Sequence, residues 1–191
     1  MTPMTLNLRS VGLLTDEQFA QICQENPEVQ FERNAAGELI VMPPTGGETG
    51  KRNFEIYIDL GIWNRRAKLG VAFDSSTLFR LPNGADRSPD VAWVRQDRWE
   101  ALTPEEQQKF PPICPDFVVE LRSKTDSLRS LQGKMLEYQQ NGARLGWLIN
   151  PQDRQVEVYR PEQSVEVLKS PSSLSGEDIL PGFVLDLTPV W

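Results

Sequence analysis

The stretch PDFVVELRSK, residues 115–124, constrains the fold more than any other part of the chain. Phe117, Val118, Val119 and Leu121 form the continuous apolar run of a strand buried on both faces, which belongs inside a sheet covered by helices. Glu120 interrupts that run. A carboxylate at such a position costs on the order of several kcal/mol unless a cation neutralises it. A buried basic side chain or a bound metal would serve, and Arg122 and Lys124 follow at once.

The surrounding sequence supplies the covering layers. TDEQFAQICQENPE opens with Thr15 and Gln18 in capping-box spacing, which predicts a helix over 16–25. A hairpin follows, with strands over 29–33 and 38–42 turning at Asn34–Gly37. The glycine-rich PPTGGETG lacks the Lys-Ser/Thr ending of a phosphate-binding loop. A long helix is expected over 49–69, with Phe54, Tyr57, Ile58 and Trp63 as its apolar stripe and Gly70 as its stop. Strands are expected at VAFD, TLFRL and DVAWV, and Pro104 after Thr103 starts a short helix in the 95–112 connection. SLRSLQGKMLEYQQNG predicts a helix over 127–141, capped by Ser127, that buries Leu128, Leu131, Met135 and Tyr138. A buried strand, RLGWLIN, and a hairpin of QVEVYR with VEVLKS complete the order. The expected fold is α/β, a mixed β-sheet flanked by helices, with an N-terminal helix and β-hairpin. The whole chain, 1–191, is read as a single domain with its core over about 15–160 and an acidic hairpin and tail over about 152–191.

Composition narrows the chemistry. The chain has no histidine, which excludes Ser-His-Asp and Cys-His catalysis and the usual zinc ligand sets. Carboxylates remain as metal ligands, and they favour hard cations such as magnesium, manganese or calcium. Cys23 and Cys114 form no CxxC pair, no apolar run is long enough to span a bilayer, and no secretory signal is visible. A cytoplasmic, reduced protein is the expectation. The net charge of −7 argues against indiscriminate nucleic-acid binding. Basic groups nevertheless gather over 51–70 and 120–144, while the tail beyond 152 is acidic.

Asp90, after Pro89, begins the DVAWV strand, and Glu120 ends DFVVEL. If these consecutive strands pair antiparallel, the start of one lies beside the end of the next, and both carboxylates reach one cation. Lys134 lies on the border of its helix's buried stripe and can extend its ammonium towards those strand ends. Two carboxylates with a lysine suit metal-dependent phosphodiester hydrolysis. The bland alternative is a buried ion pair of Glu120 with Lys134 or Arg122. Glu55 on the long helix is a candidate accessory acid, with Asn53 and Glu38 competing for that role.

The ordered set GELIVMPPTGG, LPNGADRSPDVAWV, PDFVVELRSKTDS and KMLEYQQNGARLGWLINP resembles the Uma-two family of the PD-(D/E)XK nuclease superfamily. The resemblance covers residues 15–160 and implies a restriction-endonuclease-like core, DNA as substrate and a homodimer. It also implies that Asp90 and Glu120 bind Mg2+ or Mn2+. The lysine that the superfamily carries two residues after the glutamate is Arg122 here. Arginine stays protonated and cannot act as a base, but it can hold a phosphate oxygen, as can Lys124. In the family a helix lysine matching Lys134 takes the missing role. Two alternatives stay open: a catalytically inactive nuclease fold acting as a binding module, and carboxylate-based glycoside hydrolysis without metal.

Overall fold

The computed structural model describes residues 3–8, 10 and 12–191. The elements run β1 (Met4–Leu6), α1 (Asp16–Glu25), β2 (Gln30–Arg33), β3 (Leu39–Met42), α2 (Gly47–Ala67), β4 (Gly70–Asp74), β5 (Phe79–Arg80), β6 (Asp86–Arg87) and β7 (Val91–Arg95). They continue with α3 (Gln96–Glu100), α4 (Pro104–Gln108), β8 (Phe117–Leu121), α5 (Leu128–Gln140), β9 (Leu145–Asn150), β10 (Gln155–Tyr159), β11 (Glu166–Lys169), β12 (Ser173–Ser175) and β13 (Val184–Asp186).

The main sheet has the order β11-β10-β9-β8-β7-β4. Strands β8 and β9 are parallel and joined through α5, as a parallel pair requires; every other pairing in this sheet is antiparallel. Every residue of β8 and β9 is buried, which accounts for their near-continuous apolar sequences. Alternation along the strands sends Val91, Trp93, Phe117, Val119, Leu145 and Trp147 into one core layer with Ile56 and Leu60 of α2. Ala92, Val94, Val118 and Leu148 pack on the other face with Met135 and Tyr138 of α5.

A second sheet, in the order β1-β3-β2-β6-β5, carries the expected hairpin. Phe31 and Leu39 turn towards Phe19 of α1 and Leu78. The register pairs Glu32 with Ile40 and Gln30 with Met42, so these four share the opposite face. Strand β6 lies where the sequence predicted a turn, in PNGADRSP. It has no apolar pattern because it is held by ion pairs: Asp86 lies 2.7 Å from Arg33 and 2.9 Å from Arg80.

Three further sequence expectations are corrected. Phe54 and Ile58 of α2 are exposed, at 60% and 37%, while Asn53, Ile56 and Leu60 are buried. The helix is turned because both the main sheet and the C-terminal segment pack on it: Ile56 and Leu60 share a core with Trp93, Phe183 and Val190. Gly70 does not end α2; Lys68 does, in the left-handed region at φ 54°. Gly70 begins β4, where a Cβ would lie 2.2 Å from the Val94 carbonyl oxygen and 2.5 Å from the Trp93 ring. The core also runs past residue 160, because Leu174, Leu180, Phe183, Leu185, Leu187 and Val190 are buried around the small β12-β13 sheet. Among the described residues, no helix is long and apolar enough to cross a membrane.

Candidate active site

Strands β7 and β8 are antiparallel neighbours with Val91 opposite Val119, so the register carries Asp90 to the position beside Glu120. Asp90 is fixed from three directions. Its Oδ2 accepts from the Leu121 backbone N–H at 2.8 Å, and its Oδ1 accepts from Asn53 Nδ2 of α2 at 2.9 Å. Its backbone carbonyl accepts from the Tyr57 hydroxyl. Burial raises the Asp90 pKa above its ordinary value, against the lowering effect of the Leu121 amide.

Glu120 projects to the α5 face of the sheet, where its Oε1 lies 2.9 Å from Lys134 Nζ and accepts from the Tyr138 hydroxyl at 3.1 Å. The helix places these partners because Lys134 and Tyr138 are four residues apart, one turn along the same side. Lys134 is shared: its Nζ also lies 2.7 Å from Glu32 Oε1 and donates to the Ser88 carbonyl at 3.3 Å. Glu32 comes from the second sheet and accepts from the Ser88 N–H at 2.9 Å as well as from Arg87 at 3.1 Å. Arg87 in turn donates to Glu137 at 2.5 Å.

The electrostatics are uneven. Burial pushes Glu32 up, but Lys134 and Arg87 outweigh it and hold its pKa below the ordinary value. Burial also acts on Glu120, where Lys134 opposes it and Asp90 and Glu32 add to it, leaving that carboxyl pushed up to about 7. Lys134 resists the downward pull of burial because Glu120 and Glu32 flank it, and its pKa is raised. Four carboxylates, Asp90, Glu120, Glu32 and Glu137, therefore face two cations, Lys134 and Arg87. Of these four, Asp90 and Glu120 are the adjacent carboxyls whose pKa burial raises, and Lys134 lies against Glu120.

The group opens into a cavity of about 840 Å3. Its floor includes Asp90, Glu120 and Lys134, its roof is the Glu32–Ile40 face of the second sheet, and its ends are residues 43–49 and 121–127. A metal fits the donor chemistry, which is all oxygen and suited to a hard cation. Asn53 Oδ1 supports this fit, since it is buried without a hydrogen-bond partner while the amide's other end holds Asp90. Among the described residues, no three His, Cys, Asp or Glu side chains form a group that could hold a metal.

The remaining candidates are placed as follows. Arg122 and Lys124 both line the cavity. Arg122 is also engaged with the Asp126 carbonyl at 3.3 Å and with Asn150 and Asp153 at 3.4 Å, while Lys124 stands exposed on the rim. Glu38 accepts from Asn34 at the hairpin turn, and neither it nor Glu55 lines the cavity. Glu32 was missed by the sequence reading. A glutamate alternating with Phe31 in a short strand has the pattern of a solvent face, and no sequence signal distinguishes it from one.

A family model described as "Uma2: Putative restriction endonuclease" matches residues 16–188. Among solved structures, the chain is similar to one described as a putative nuclease belonging to DUF820, from Anabaena variabilis ATCC 29413. The TM-score is 0.71 at 23% identity, covering 87% of this chain and 90% of that one, a likeness that shows a shared fold. No curated protein matches the chain.

Proposed function

The chain belongs to the Uma2 restriction-endonuclease family, and we propose that it is a divalent-metal-dependent endonuclease that hydrolyses DNA phosphodiesters at the Asp90–Glu120–Lys134 group. The observation that carries this reading is two adjacent acids on neighbouring strands with an ammonium beside them, at the floor of a cavity. Asp90 and Glu120 would hold Mg2+ or Mn2+, with Asn53 Oδ1 as a neutral oxygen close by. When bound, such an ion lowers the pKa of a water ligand and screens the phosphate charge.

The chain's own residues supply the rest. Lys134 is kept protonated by Glu120 and Glu32, so it acts as a fixed cation for the negative charge that develops on phosphate and not as a base. It reaches this position from α5, which explains how Arg122 can stand where the superfamily pattern has lysine. Glu32 is a positioning residue, holding Lys134 through one oxygen while the Ser88 amide fixes the same carboxylate. Lys124 is the phosphate contact at the rim, and Arg122 chiefly ties the 122–126 loop to Asn150 and Asp153.

Thermal unfolding with and without Mg2+, run beside oligonucleotide cleavage, tests this reading. A ligand at about 100 times its Kd stabilises by roughly 2.7 kcal/mol. For a chain of this size that raises Tm by on the order of 5–10 °C. The wild type is expected to show this shift and to cleave, and Asp90→Asn is expected to lose both. A wild type with no shift at millimolar Mg2+ or Mn2+ and no cleavage contradicts it.

A further inference from the structure

We propose that the cavity accepts an unpaired DNA strand in preference to a duplex, with a base resting on the roof formed by the second sheet. The inference rests on the nuclease reading above and specifies its substrate.

Two independent observations carry it. The first is shape. The reacting group lies in a partly open cavity between the main sheet and the roof of the second sheet, and Lys134 bridges floor to roof through Glu120 and Glu32. The space of about 840 Å3 falls within the roughly 300–1,000 Å3 of pockets that enclose small ligands. A duplex presents paired backbones around grooves roughly 6 and 12 Å wide, and it needs a broad open cleft. A strand without its complement can pass between the 43–49 and 121–127 segments and deliver one phosphodiester to the floor.

The second is charge and surface character. Proteins that grip duplex DNA neutralise many phosphates, with about 6–10 contacts in strongly salt-dependent cases. The cavity wall carries five basic residues, Arg52, Arg87, Arg122, Lys124 and Lys134, against five acidic ones, Glu32, Glu48, Asp90, Glu120 and Asp126. Arg87 is already committed to Glu32 and Glu137, Lys134 serves only the phosphate at the reacting centre, and the whole chain has a net charge of −7. The roof offers apolar contact instead. Ile40 and Met42 stand on the cavity face of β3, continued by Pro43 and Pro44. These residues meet the flat face of a base, which is accessible only where the base is unstacked. The alternation that buries Leu39 under α1 is what turns Ile40 and Met42 to the cavity.

The test uses one labelled sequence in three forms: single-stranded, fully paired, and paired with a central single-stranded gap. Cleavage in Mg2+ is measured with the wild type and with Met42→Ser. Binding is measured by fluorescence anisotropy with Glu120→Gln. The expected result is at least tenfold faster cleavage of the single strand than of the duplex, with cuts in the gapped form confined to the gap. Met42→Ser is expected to raise KM for the single strand about tenfold while changing kcat less than threefold. Anisotropy is expected to follow the same order. Equal or faster cutting of the fully paired form overturns the inference and leaves the nuclease reading standing, as does an unchanged KM in Met42→Ser. Failure to cut or bind any of the three forms overturns both together.

Discussion

Glu120 illustrates how one residue can be legible while its surroundings are not. Its conflict with a buried strand announces a cation, and the β7–β8 register delivers Asp90 beside it. Lys134 was reachable from its place on the border of the α5 stripe, and it lies 2.9 Å from Glu120. Glu32 was not, because its role depends on a sheet-to-helix contact 102 residues apart in sequence. A measurable consequence belongs to this scale. Glu32→Gln removes an anion from both Lys134 and Arg87 and leaves a neutral amide to hold them. Stability is expected to fall by about 1–3 kcal/mol in urea unfolding. Cleavage is expected to fall roughly tenfold, in line with the loss of positioning for a single catalytic group. Glu32→Asp is expected to recover part of the rate, because the negative charge returns. Equal loss in Gln and Asp variants would assign Glu32 a purely packing role.

At the scale of elements, helices with side-chain caps were read most accurately. Thr15 and Gln18 form the expected capping box of α1, Thr103 and Glu106 form another on α4, and Ser127 caps α5. Local side-chain-to-backbone bonds leave a local signature, which is why these starts were visible. The orientation of α2 was legible only in part, since it is set by which surfaces cover it: Tyr57 and Trp63 of the expected stripe pack against the core, while Phe54 and Ile58 are exposed. Strand β6 was missed for the opposite reason, being polar and held by Arg33 and Arg80. Two glycines separate these effects. Gly70→Ala would drive a Cβ into the Val94 carbonyl and the Trp93 ring, and is expected to cost about 1–3 kcal/mol or more as overpacking. Gly61, inside α2, faces open space within 4 Å, so Gly61→Ala is expected to stabilise by about 0.5–1 kcal/mol. Both are read from urea midpoints, and a neutral Gly70→Ala would contradict the close packing of β4 on β7.

For the whole molecule, the arrangement that matters is a mixed sheet whose strand ends supply two acids, a crossover helix that supplies a lysine, and a second sheet whose Glu32 meets that lysine across the cavity. The fold class followed from the order of elements, whereas the roof and the buried C-terminal segment needed tertiary contacts that no local pattern encodes. Such an arrangement has a direct biochemical readout. Purified protein incubated with supercoiled plasmid and Mg2+ or Mn2+ tests its central claim, beside an EDTA control and Glu120→Ala. Nicking by the wild type that disappears in both controls is the predicted result. Nicking that persists in EDTA, or in a folded Glu120→Ala protein, would contradict it.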